Sequence, residues 1–273
     1  MEKYSVLMSL YIKEKPEYLD IAIKSMIDQS LRPDEIVIVK DGPITIELQN
    51  VLTKYKVKYP ELMNVIGYEE NKGLGYALNF GLKHCRNELV ARMDTDDISK
   101  LDRCEKQVKK FQENPNLSIV GAWIDEFYDS PEDIVSTRKV PRDFKEIYEF
   151  AKRRSAFNHP VVMYKRDKVL KQGGYNDLLR RNQDVDLFGR MLFLGNIAEN
   201  IPESLLYFRL NDKLAKRRKS WENTKSYIKT VKQLKKMGYS SFKDYIIVFI
   251  AQVGVFIMPI KIQIWVYKMF LRK

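Results

Sequence analysis

Cysteine and histidine are nearly absent from these 273 residues, with two of each. Cys85 and Cys104 show no CxxC or Cys/His metal spacing, which argues against a zinc site and for a reducing, cytosolic setting. A cleavable leader is not expected: the first residues contain no small-residue cleavage site, Glu2 stands where a signal peptide would be basic, and the short apolar run there suits a first strand. Long apolar runs are scarce. The longest uncharged stretch, Tyr245 to Ile260, has 16 residues broken by Gln252, Gly254 and Pro259. As a helix it would reach only ~24 Å, short of a hydrocarbon core of ~30 Å, so a span is disfavoured. Neither an internal repeat nor a low-complexity linker interrupts the chain.

Charge is present but unevenly placed. Residues 1–138 carry 19 Lys/Arg against 24 Asp/Glu, whereas residues 139–273 carry 29 against 12. A basic half of this size calls for an anionic partner, and nucleic acid, anionic lipid and phosphorylated substrates all meet that demand.

The first half alternates apolar strands with amphipathic helices. Strand-like Val6–Tyr11, Ile36–Val39, Asn64–Tyr68 and Leu89–Met93 are separated by helical patterns over Pro16–Gln29, Ile46–Tyr59 and Leu74–Cys85. This order predicts right-handed βαβ crossovers and a mostly parallel sheet, with ligands beyond the strands' carboxyl ends. Tyr11, Asp41, Glu69–Asn71 and Asp94–Asp97 should then converge. Further on, the pattern predicts a helix over Leu101–Gln112 and a strand over Ser118–Trp123. A hairpin or flap over Phe127–Val140, a strand over Val161–Tyr164, a helix over Asp184–Leu194 and a strand over Leu205–Leu210 follow. A basic helix over Lys216–Met237 and the apolar tail complete the chain, dividing it into a main domain, 1–215, and a C-terminal appendage, 216–273.

The densest chemical signal is ELVARMDTDDISKLD, residues 88–102, where a buried strand runs into Asp94, Asp96 and Asp97. Clustered acids lose hydration and repel one another, so they point to a divalent cation or to an organised hydrogen-bond network. An acidic loop capping the next helix is the competing explanation. Asp41, before Gly42-Pro43, is placed to meet a nucleobase, although such an Asp is also a common turn residue. In Asn71-Lys72-Gly73-Leu74-Gly75, backbone amides at a helix start suit phosphate, while tight-turn geometry explains the glycines equally well. Asp184 and Asp186 lie two apart on a helix, so one should face the site and the other should bind structure.

Taken in order, SVLMSLY, IVIVKDG, NKGLGYALNFGL, LVARMDTDD, NHPVVMYKRD and NQDVDLFGRM resemble the motifs of family 2 glycosyltransferases, in particular bacterial enzymes of capsule, exopolysaccharide or O-chain assembly. The likeness spans about residues 4–210. It implies the α/β GT-A fold and inverting transfer from a nucleotide diphosphate sugar, expected to be a UDP-sugar. The acceptor would be a hydroxyl on a lipid-linked or saccharide molecule. By the same resemblance Tyr11, Asp41, Asn71, Gly73, Asp94 and Asp96 contact the donor, Asp96 coordinates Mn²⁺ or Mg²⁺, and Asp184 is the base. Gln183 stands where the family usually has Glu. A histidine that relatives often carry after the arginine of the last strand is missing, with Arg209-Leu210-Asn211 in its place and Lys213, Lys216 or the Arg217-Arg218 pair as substitutes. His159, Gln183, Arg209, Lys213 and Arg217 are accordingly expected on the acceptor or diphosphate side.

In the tail, Ile262, Trp265, Val266 and Met269 fall at helical spacing opposite Lys261, Lys268 and Arg272. That suits a helix lying on the cytoplasmic membrane surface as a peripheral anchor, with a core helix or a homodimer contact as alternatives. Two other functions compete: a Mg²⁺-dependent nucleotidyltransferase using the same acids, and a nucleic-acid-binding protein using the basic half. No recognisable nucleic-acid module interleaves the basic residues, so no nucleic-acid partner is expected.

Overall fold

In the computed structural model, which describes residues 2–211 and 219–259, nine strands form one sheet. The first half follows the alternation: β1 (Tyr4–Leu10), α1 (Pro16–Ile27), β2 (Glu35–Asp41), α2 (Ile46–Lys58), β3 (Met63–Tyr68), α3 (Leu74–His84) and β4 (Leu89–Met93). The short β5 (Ile98–Ser99), α4 (Arg103–Glu113), β6 (Leu117–Phe127), β7 (Ile134–Arg138) and α5 (Phe144–Ala151) come next. After these come β8 (Met163–Lys165), α6 (Arg166–Lys171), α7 (Gln183–Phe193) and β9 (Ile197–Arg209), with two more helices at Trp221–Lys236 and Phe242–Ile257. Spatially the strands run β3-β2-β1-β4-β8-β6-β9-β5, with β7 paired to β6. β3, β2, β1 and β4 are mutually parallel, and β8 is antiparallel to both of its neighbours.

Both faces of the sheet are covered, which explains why its central strands read as continuous apolar runs. Val6, Met8, Ile36 and Ile38 pack on one side with Leu19, Ile23, Leu52 and Val108. Leu7, Val37, Val39 and Val90 pack on the other with Leu78, Leu82, Ile147 and Phe188. Leu234 and Tyr239 belong to this second cluster, so the helix Trp221–Lys236 lies on α7 as part of the same core.

β5, α5 and α6 have no counterpart in the sequence pattern, and β9 and the two C-terminal helices start elsewhere than it places them. β9 starts at Ile197 rather than Leu205, because Glu199, Pro202 and Glu203 break the apolar run without breaking the pairing to β6. Register shifts at Ala122/Trp123 and Trp123/Asp125 absorb the irregularity. The basic helix starts at Trp221 because the Ser220 hydroxyl caps it, accepting from Asn223 N at 3.1 Å. The last described helix starts at Phe242, three residues before the uncharged run, where Ser241 and Asp244 form a capping box. No described helix is long and apolar enough to cross a membrane. The amphipathic segment expected over residues 262–269 lies outside the described residues.

Candidate active site

The segments leaving β1, β2, β3 and β4 meet along the carboxyl edge of the parallel sheet. Asp41 ends β2, and its buried carboxylate organises the connection from β3 to α3. It accepts from Tyr68 Oη at 2.9 Å, Asn71 Nδ2 at 2.9 Å, Lys72 N at 2.8 Å and Gly73 N at 3.0 Å. Both carboxylate oxygens therefore accept from internal donors, and Asp41, Asn71 and Gly73 form one knot. Gly42 follows at φ +85°, where a Cβ would come within 2.7 Å of Asn71 N, so only glycine permits this approach. Tyr11, exposed at the start of the β1–α1 loop, lies after the adjacent strand.

Beyond β4, Asp94, Asp96 and Asp97 each bring a carboxylate oxygen within 4.8 Å of the others. Glu14, in the β1–α1 loop, joins them by accepting from Thr95 Oγ1 at 2.8 Å. Burial, followed by the charges of Asp94 and Glu14, pushes the Asp96 carboxyl up to about 7. Asp97 is fully buried and lies well above the ordinary carboxylate range, through burial and then the charges of Asp96 and Asp94. Its Oδ1 accepts from Arg209 N at 2.9 Å, and its Oδ2 has no partner among the described residues. An orphaned buried carboxylate oxygen within a group of mutually repelling acids fits a hard divalent cation, which would relieve both penalties.

Three arginines surround these acids. Arg92, buried in β4, donates from Nη2 to Asp94 Oδ1. Arg103, equally buried, donates to the Arg92 carbonyl at 2.6 Å and to Gln107 Oε1 at 3.1 Å, stitching α4 to the end of β4. Arg209 donates from Nε to the Asp96 carbonyl at 3.0 Å, with its guanidinium carbon 4.0 Å from the Tyr18 ring centre and 4.6 Å from that of Phe127.

The other wall is built by α7 and the turn before it. Asn79 clamps that turn by donating to the Tyr175 carbonyl and accepting from Tyr175 N, both at 2.7 Å. Tyr175 Oη lies 2.9 Å from His159 Nε2, and burial with the Arg92 charge keeps the His159 imidazole neutral, well below its ordinary range. Gln183, the first residue of α7, packs near Gly75 of α3. Asp184 is partly buried and faces a small cavity, accepting from Ser155 Oγ at 3.4 Å. Burial raises its carboxyl, against lowering contributions that include Arg138 and Arg92. Asp186 instead pairs with Arg190 at 2.9 Å, so the two acids of α7 divide between cavity and scaffold. Burial raises the Tyr175 hydroxyl, with the charges of Arg92, Asp184 and Asp94 as smaller contributions. Lys213, Lys216, Arg217 and Arg218 lie outside the described residues.

Glu14, Tyr68, Asn79 and Tyr175 were not singled out by the sequence argument. Glu14 alone carried a usable signal, as an acid just past the carboxyl end of a strand.

A mostly parallel α/β sheet with an aspartate cluster at its carboxyl edge is the arrangement expected of a GT-A transferase. The chain belongs to glycosyl transferase family 2, whose sequence profile matches residues 5–174, and it is a glycosyltransferase. It is 35% identical to the UDP-Gal:alpha-D-GlcNAc-diphosphoundecaprenol beta-1,3-galactosyltransferase of Escherichia coli, over 99% of this chain and 97% of that one. It is 34% identical to the amylovoran biosynthesis glycosyltransferase AmsE of Erwinia amylovora, over 97% and 98%. Among solved structures, the mannosyltransferase PcManGT of Pyrobaculum calidifontis with GDP-Man and Mn²⁺ matches with a TM-score of 0.68 at 14% identity, covering 93% of this chain and 69% of that one. The TarS 1-349 structure of S. aureus with UDP-GlcNAc matches at 0.65 and 16% identity, covering 93% and 72%.

Proposed function

We propose that the enzyme transfers a sugar, with inversion, from a UDP-sugar to a hydroxyl of a lipid-linked saccharide during cell-surface polysaccharide assembly. The observation that carries this reading is the Asp94/Asp96/Asp97 cluster beyond β4, at the carboxyl edge of the parallel strands, with Asp184 at the start of α7 as the base that the proposal adds. Asp96 and Asp97 would hold Mn²⁺ or Mg²⁺, which when bound neutralises charge on the donor's diphosphate. Asp94, oriented by Arg92, suits the ribose hydroxyls, and the Asp41 knot shapes the adjoining turn for the base. Asp184 takes the proton from the acceptor hydroxyl as that oxygen attacks the anomeric carbon opposite the leaving UDP. Its raised carboxyl suits it to hold that proton after transfer. The lipid-linked acceptor is supported by the diphosphoundecaprenol substrate in the name of the Escherichia coli relative.

Docking on the cytoplasmic membrane surface is part of the same proposal. Phe242, Phe249, Ile250 and Ile257 leave an apolar stripe exposed along the last described helix, and Lys235 lies over the rings of Phe242 and Tyr245. An amphipathic helix of this kind beds into a headgroup layer, where a lipid-linked acceptor is confined. The test is a thermal-shift screen of UDP-sugars with and without Mn²⁺, because a ligand bound only by the native state raises its stability. A metal-dependent shift with one UDP-sugar is expected; no shift with any nucleotide sugar would contradict the proposal.

A further inference from the structure

Beside Asp184 the structure holds two guanidinium groups that the donor chemistry leaves unused. Arg154 follows α5 and lines the small cavity that Asp184 faces. Arg138 ends β7, and its carbonyl accepts at 3.2 Å from Nδ2 of Asn158, the residue after Phe157 of that cavity's lining. Tyr227 of the helix Trp221–Lys236 donates to the Arg153 carbonyl at 3.2 Å, and the charges of Asp184, Arg154 and Arg138 all act on it. Neither arginine forms an ion pair among the described residues, in contrast to the adjacent Arg153, whose charge is taken by Asp244.

Arg154 also lines a second, open groove of about 480 Å³ with Pro141, Glu146, Glu149, Phe150 and Arg153. This volume lies in the range that accommodates a small ligand. Of the two acids there, Glu149 is neutralised by Lys152 at 2.6 Å. The Arg154 guanidinium carbon lies 4.8 Å from the centre of the Phe150 ring, which steadies its planar group. Because Arg153 pairs with Asp244, the groove's rim is tied to the first turn of the helix Phe242–Ile257, which bears the exposed apolar stripe. Arg154 thus lines both the Asp184 cavity and the groove, whose rim Arg153 joins to the apolar helix.

We infer that Arg138 and Arg154 form the subsite for the diphosphate of a lipid-linked acceptor, holding the acceptor by its charged link while its sugar hydroxyl reaches Asp184. A guanidinium matches phosphate oxygens with a planar fork of donors, and two of them beside the base fix the orientation of the sugar between base and lipid. This inference rests on the lipid-linked acceptor proposed above.

The test is calorimetric, on the full chain with UDP and Mn²⁺ present. The probes are α-D-GlcNAc joined to a short alkyl chain through a diphosphate and the neutral short-alkyl glycoside of the same sugar. The wild type is expected to bind the diphosphate probe at least tenfold more tightly. Arg154→Gln and Arg138→Gln should each reduce that preference about tenfold, the scale of a charge-assisted hydrogen-bond pair, and Arg154→Lys should restore it only in part. UDP affinity and binding of the neutral glycoside should not change, which separates this subsite from the donor's own diphosphate site and shows that the variants are folded. If the wild type binds both probes equally, the diphosphate-acceptor reading fails and the subsite falls with it. If the wild type prefers the diphosphate but both variants keep that preference, the acceptor reading stands and the subsite is wrong. An equal loss on both probes would make the arginines counter-ions of Asp184 and would also overturn the inference.

Discussion

Replacing Asp41 by asparagine tests whether the donor crevice is pre-organised by an internal knot. In the wild type the carboxylate accepts from one hydroxyl, one side-chain amide and two backbone amides, at 2.8 to 3.0 Å. An asparagine offers one acceptor oxygen instead of two, and its NH₂ group must confront donors on the other side. At least one hydrogen bond to a charged group is lost, worth about 1.5–3 kcal/mol, while its half-buried or exposed donor can turn to water. The expected loss is about 1.5–3 kcal/mol, or roughly 3–12 °C in Tm for a chain of this size. Urea unfolding with an unchanged m-value measures the first quantity, and a parallel UDP titration should show weakened affinity because the Asn71–Gly73 turn loosens. A destabilisation below about 1 kcal/mol would refute the reasoning, since the carboxylate would then not be the hub of the turn. Full stability with lost UDP affinity would instead assign Asp41 to the base alone.

Asp184→Asn should keep fold and donor affinity while lowering kcat by about 10²–10⁴-fold, the usual contribution of a general base; turnover within a few-fold of wild type would remove Asp184 from the chemistry. Because burial raises the Asp184 carboxyl, and the base must be ionised to act, kcat should fall as pH drops through a limb above the ordinary carboxylate range. Turnover that is flat from neutral to mildly acidic pH would contradict that assignment. Asp96→Asn should abolish the strengthening of UDP binding by Mn²⁺, since an amide is a poorer ligand for a hard cation, and equal enhancement in variant and wild type would exclude Asp96 from the metal site. Replacing Phe249 and Ile250, both solvent-exposed, by serine should weaken flotation with anionic liposomes without altering UDP binding, and unchanged flotation would place the membrane contact elsewhere.

The parallel half of the fold was legible because β1, β2 and β4 are buried on both faces and each is closed or followed by a polar residue, Tyr11, Asp41 and Asp94. Val6–Tyr11, Ile36–Val39 and Leu89–Met93 overlap β1, β2 and β4 to within a few residues. Past residue 115 the pattern weakens, since β9 carries Glu199, Pro202 and Glu203 along a strand paired on both sides. At the site, the aspartates of residues 94–97 were readable from local spacing. The Asp41 knot, the Asn79 clamp and the approach of Glu14 join residues 27 to 96 positions apart, and no local pattern records such contacts. The division between Asp184 and Asp186 was readable, because helical rotation alone forbids both from facing the cavity. The packing of the basic helix was hidden by its lysines, which mask the short buried stripe of Thr230, Val231 and Leu234.

The central claim is that Asp184 and the aspartate cluster act from opposite sides of the anomeric carbon. The most direct measurement is the anomeric configuration of the first product, read by NMR from the coupling at the new glycosidic bond before any equilibration. From a UDP-α-sugar the account predicts a β-linked product, formed about 10²–10⁴-fold more slowly when Asp184 is replaced by asparagine. An α-linked product from the same donor would contradict it.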